Sequence, residues 1–172
     1  MMRRQFTPLI ECCRGSAAVE MALVTPLLIA LMFGSFEAGN FYLDSHVVAK
    51  AVRDGARFAA RRGFTNYSGC SGAPGGTVET DTRNIVRTGK LSGGTARLPG
   101  WTDPATISIS ISCNTTGVGG VAYKGIYTGM ATGAPVVTVS AAVPYTTLFG
   151  ETGFSSTTLT LRAESQAAVT GL

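Results

Sequence analysis

Histidine and tryptophan each occur once in these 172 residues, and charged residues make up only 14%. The single His46 follows Asp44 and Ser45 in "DSH". Consecutive helical side chains point about 100° apart, so these three cannot converge as base, orienting acid and nucleophile. One histidine, with two of the four cysteines candidates for a disulfide, leaves no metal-ligand constellation. The carboxylates are too scattered to nominate an acid–base pair. "GVGGVAYKG" lacks the strand-then-helix setting of a phosphate loop. No basic block is dense enough for nucleic acid, and the aromatic interleaving of a single-strand binder is missing. The composition argues against an enzyme, a cofactor, a nucleic-acid partner or a small-molecule substrate.

What the chain does contain is an apolar run. Hydrophobic residues make up 45% of it, and they are densest between Ala17 and Phe36. Some twenty residues of helix rise about 30 Å, the depth of a bilayer core. Pro26 should kink such a helix rather than end it, because apolar residues resume at once. The first fifteen residues set Arg3, Arg4 and Arg14 against Glu11, a short basic leader ending in Gly15. One turn into the apolar run stands Glu20. A carboxylate at the centre of a bilayer costs about 2.5–3.5 kcal/mol even on the lenient insertion scale. Either Glu20 snorkels to the interface, or it has a partner there.

Helical period continues past the run in "FYLDSHVVAKAVRDGARFAARRG". Val48, Ala51, Val52, Gly55, Phe58 and Ala59 form an apolar stripe, and Lys50, Arg53, Arg57 and Arg61 line another face. Asp54 stands four residues from Lys50 and three from Arg57, in reach of either along the helix. The basic stripe is either a solvated helix face or a docking surface for acidic partners. Gly63 supplies a stop. Residues 64–76 read as a loop, and a short helix is expected around Ile85 and Val86. "TISISISC" alternates with period two, and strands are expected near 106–113, 136–145 and 156–169, with a long Gly-rich connection over 117–135. The class is α+β: a long N-terminal helix with a small antiparallel sheet. Cys70 and Cys113 follow the apolar run. They form either one disulfide in an oxidising compartment or two unrelated buried thiols.

"RGSAAVEMALVTPLLIALMFGSFEAG" followed by "AVRDGARFAARRG" resembles the TadE-like family, the minor pseudopilins of tight-adherence (Flp-type) pilus machines. The resemblance covers residues 14–63. It implies a leader over 1–15, cut between Gly15 and Ser16 by a membrane aspartyl prepilin peptidase, then a transmembrane helix over 16–39. A periplasmic extension over 40–63 and a periplasmic head over 64–172 would follow. Cleavage would create an ammonium group on Ser16, and Glu20 would pair with it and set register between subunits. The implied partners are the peptidase, other pseudopilins and pilins, the inner-membrane assembly platform and the lipid bilayer. The implied location is the bacterial inner membrane, N-terminus cytoplasmic, with pilus association after processing. A head of over a hundred residues separates such a chain from the short major pilin.

Other readings of the run fit less well. A secretory signal needs small residues at −3 and −1 after the apolar stretch, and "GSFEAGN" puts Phe36 or Glu37 at one of them. A lipoprotein reading fails because the Cys of "LIECC" precedes the run. An uncleaved single-span anchor carrying a periplasmic binding or scaffold domain remains open.

Overall fold

The computed structural model describes residues 15–130, 132–150 and 159–171. The leader up to residue 14, with Cys12 and Cys13, and residues 156–158 of the expected last strand lie outside the described residues. The chain divides into two compact units, Met1–Gly39 and Asn40–Leu172. Helix α1, Ser16–Ala60, contributes to both.

Within the first unit, α1 is built from Ala, Leu, Met and Val. Its straight-chain residues lose little rotamer freedom in a helix. Pro26 lies inside α1 and does not end it. Lacking an N–H, Pro26 takes the usual i→i−4 donor away from the Ala22 carbonyl. Beside it, the Thr25 hydroxyl donates to Met21 O at 2.6 Å, and the Ser35 hydroxyl donates to Leu31 O at 2.7 Å. Both hydroxyls are thus satisfied without water, as an apolar surrounding requires. Val19, Met21, Leu23, Leu27, Leu28 and Leu31 all stand exposed. The helix is long and apolar enough to cross a membrane, and none of its most apolar window is buried within the protein.

The second unit has its own core. From α1 it takes Val48, Ala51, Val52, Gly55, Ala56 and Ala59, the i, i+3, i+4, i+7 spacing of one helix face. Helix α2, Val78–Thr88, buries Val78, Thr82 and Val86 at intervals of four. Its exposed side carries a Glu79–Arg83 ion pair at 2.7 Å. Gly89 closes it in the left-handed conformation (φ 77°), with its N–H donating to Ile85 O at 2.9 Å.

Strands β1 (Ile107–Asn114), β2 (Ala134–Pro144) and β3 (Thr160–Ala168) form an antiparallel sheet in the order β1-β2-β3. Ile107 lies opposite Ala141, and Val139 lies opposite Ser165. Period-two alternation puts Ile107, Ile109, Ile111, Val137, Val139, Val143 and Leu161 into the core. Ser108, Ser110, Ser112, Arg162, Glu164 and Gln166 fall on the exposed face. Between α2 and β1, Trp101 is fully buried, and its indole N–H donates to Thr106 Oγ1 at 2.8 Å. The architecture is α+β, a long apolar N-terminal helix with a small three-stranded antiparallel sheet domain.

Candidate functional site

The start of α1 gathers the three residues that the sequence marks for processing and pairing. Ser16 opens the helix and Glu20 lies one turn on, so both face the same side. The Ser16 hydroxyl donates to Glu20 Oε1 at 3.2 Å. This draws the carboxylate back toward the start of the helix, the positive end of its dipole, which favours an anion. Gly15 precedes the helix, exposed, and a Cβ built on it would meet nothing within 4 Å. Its φ is not in the left-handed range either. No conformational or packing demand within the described chain explains why this position is glycine.

The remaining named residues belong to the second unit. Lys50, Arg53, Arg57 and Arg61 are all exposed. Among the described residues none of the four has an ion-pair partner. Asp54 does not serve Lys50 or Arg57: it pairs with Arg97, 43 residues on, at 3.3 Å. The reason is geometric. Asp54 sits on the flank of α1 that turns toward α2, and the same Arg97 guanidinium also donates to Ile85 O at 3.3 Å. The neighbouring Arg62 stacks on the Phe58 ring at 4.2 Å and reaches Asp81 at 3.9 Å. Together Asp54, Arg57, Phe58, Arg61 and Arg62 line an open, cationic depression of about 370 Å³.

Cys70 and Cys113 are joined in a disulfide, their Cα atoms 5.1 Å apart. The bond ties the loop after α1 to the end of β1. Cys70 has φ 49°, the only non-glycine residue with positive φ among those described. For an L-residue that conformation costs about 1–2 kcal/mol, and the cross-link holds it in place.

The "DSH" triplet does not converge. The Ser45 hydroxyl donates back to Phe41 O at 2.7 Å, and the His46 ring meets the edge of Tyr42 at 5.0 Å. Partial burial pushes the Asp44 carboxyl above its ordinary range. Among the described residues no three His, Cys, Asp or Glu side chains are grouped to hold a metal.

The close of α1 in the head has anchors that sequence reading did not find. The Tyr67 hydroxyl donates to Ala59 O. The Thr170 N–H and hydroxyl donate to Ala60 O at 2.8 and 3.3 Å. These satisfy carbonyls that a helix end leaves without intrahelical donors. No local pattern announces them, because one partner is a loop tyrosine and the other lies 110 residues away. Burial pushes the Tyr67 phenol up to about 12, against a smaller opposing effect of the Arg62 charge.

Neither a curated protein nor a solved structure matches the chain. One family does, over a stretch well short of half the chain that begins at Gly15, holds Ser16 and Glu20, and ends at Arg57. Residues 15–57 match the TadE-like proteins, a pilus-associated structural family not known for enzymatic activity, and over this segment the chain is similar to them.

Proposed function

We propose that the chain is a minor pseudopilin of a Flp-type (tight-adherence) pilus machine. It is cut between Gly15 and Ser16 by a prepilin peptidase and held in the inner membrane through residues 16–39, with its head in the periplasm. There it takes part in assembling the pilus that attaches the cell to surfaces, beside other pseudopilins and the assembly platform.

The observation that carries this reading is the Ser16–Glu20 contact at the very start of α1. Cleavage before Ser16 would convert its amide nitrogen into an ammonium group at the same turn as the carboxylate. An isolated charge in lipid is unfavourable, whereas a pair lacks most of that penalty. The pair forms within one chain or between a chain and its neighbour, and between neighbours it sets the axial offset of one helix against the next. Gly15 supports the same reading from the other side. Among the described residues nothing crowds a Cβ at this position, and a backbone without a Cβ there suits a protease cleft.

The Lys50–Arg61 stripe and the disulfide fit a head outside the cytoplasm. Four exposed cations, without ion-pair partners among the described residues, form a docking face for acidic surfaces of neighbouring subunits, and disulfides persist in oxidising compartments. Mass analysis of the chain purified from membranes tests the proposal. A mature chain beginning at Ser16 supports it, and Gly15→Leu should leave the leader attached. An active chain that begins at Met1 or Met2 would instead be an uncleaved anchored scaffold, and the pseudopilin reading would be lost.

A further inference from the structure

The two edges of the sheet differ. On β1 the odd-numbered backbone groups point away from β2. There Ile111 N–H donates to Gly72 O at 2.9 Å, and Ile107 C=O accepts from Arg83 Nε at 3.2 Å. That edge is occupied. On β3 the bonds from Tyr145 N–H to Leu159 O and from Val169 N–H to Pro135 O show that odd-numbered residues face β2. Antiparallel pairing then turns the N–H and C=O groups of Thr160, Arg162, Glu164, Gln166 and Ala168 outward. Among the described residues, no hydrogen bond reaches these ten groups. Edges of this kind are commonly guarded by lysine, proline or a bulge. The stretch "TLRAESQAA" has neither residue and is paired with β2 without interruption.

We propose that the β3 edge pairs antiparallel with the β3 edge of a second copy of this chain, merging the two sheets into one. The side chains select a single register. Outward backbone groups belong to even positions, so a two-fold pairing sets even residues opposite even residues. Centred on Ala163, the pairing places Arg162 opposite Glu164 of the second copy, twice by symmetry, and Thr160 opposite Gln166. Shifted by one residue, it sets Glu164 against Glu164 or Arg162 against Arg162, which opposes like charges. Arg162 and Glu164 are exposed, and among the described residues their side-chain hydrogen bonds run along their own strand: Arg162 Nε to Thr160 Oγ1 at 3.3 Å, and Gln166 Nε2 to Glu164 Oε1 at 3.4 Å. Small Ala163 at the symmetry centre lets the two strands close on the core face. The charges that deter foreign edges therefore favour a second copy in one register. This association depends neither on leader cleavage nor on a pilus.

Cross-linking of the full-length chain in its membrane tests it, with Cys12 and Cys13 replaced by serine to remove background. Residues opposite each other at the non-hydrogen-bonded position lie about 4.5 Å apart at Cα, within disulfide reach. Ala163→Cys should therefore yield a disulfide-linked dimer under mild oxidation. Arg162→Glu or Glu164→Arg alone should lower the dimer's association constant by about tenfold, and the double reversal should restore it. Sedimentation of the charge variants without the added cysteine, in detergent, reads the same pattern independently of any effect of Ala163→Cys on folding. Absence of a dimer in both measurements, indifference to the single reversals, or failure of the double reversal to recover would each overturn the proposal.

Discussion

Gly55 of α1 lies against Val86 of α2 so closely that a Cβ on Gly55 would collide with the Val86 Cγ2 methyl, with the buried Thr82 methyl 3.5 Å away. The "DGAR" glycine is therefore a packing residue, which lets the Val86 side chain seat against the backbone of α1. Gly55→Ala gains about 1 kcal/mol in helix propensity but overpacks the contact by about 1–3 kcal/mol. The net expectation is a destabilised head, measured as a lower denaturation midpoint at unchanged slope. A second change, Val86→Ala, should recover part of the loss by vacating the methyl's place.

Glu20→Ala should still be processed, because the cleavage site is intact, but should enter pilus-associated complexes poorly. The measurements are the mature mass and the amount of chain that co-purifies with other pilus components. Normal incorporation would remove the pairing role assigned to Glu20.

Tyr67 couples stability of the head to alkaline pH. Its folded value of about 12 lies above the ordinary 10.0, so between those two values the unfolded chain has lost the phenolic proton and the folded chain keeps it. The stabilisation is complete below pH 10 and disappears as pH rises through about 12. Tyr67→Phe should cost about 1 kcal/mol at neutral pH, for the lost bond to Ala59 O. The variant should also lose less stability than the parent between pH 10 and 12, as read from denaturant titrations at each pH.

Cys70 and Cys113 close a loop with a sequence separation of 43. Replacing both by serine should lower head stability by about 2–4 kcal/mol, mainly by freeing the unfolded chain. Comparing parent and variant with and without reductant checks this, since reductant should bring the parent down to the variant.

Charge reversal at Arg53 and Arg57 should leave folding within about 0.5 kcal/mol, because both side chains are exposed and have no ion-pair partner among the described residues. Co-purification with acidic partners should fall. Unchanged co-purification would make the stripe a solvated helix face.

The architecture shows through the sequence wherever one periodicity runs unbroken. The largely apolar stretch from Ala17 to Phe36 reads as one helix long enough to cross a membrane, and the alternating Ile107, Ile109 and Ile111 face the core because side chains on a strand switch sides at every residue. The start of the candidate site is legible too, since Ser16 and Glu20 are one helical turn apart and need no tertiary contact to meet. What local pattern conceals is long-range choice. Asp54 has two cations within helical reach and pairs with neither, because α2 brings Arg97 to its flank. Trp101 follows "SGGTARLPG", which carries no helical or strand period, yet its ring is fully buried. Val86 opposite Gly55 and the open edge of β3 are products of packing between segments, and neither leaves a signature in either segment alone.

The sheet has each strand hydrogen-bonded to its neighbour in the sequence, with β2 in the middle. No strand has to wait for a later one to be inserted between it and its partner. A chain delivered N-terminus first presents the apolar face of α1 as a floor, then α2, then the strands one after another in the order in which they pair. Such a meander suits vectorial delivery: each newly arrived segment finds its docking place already built.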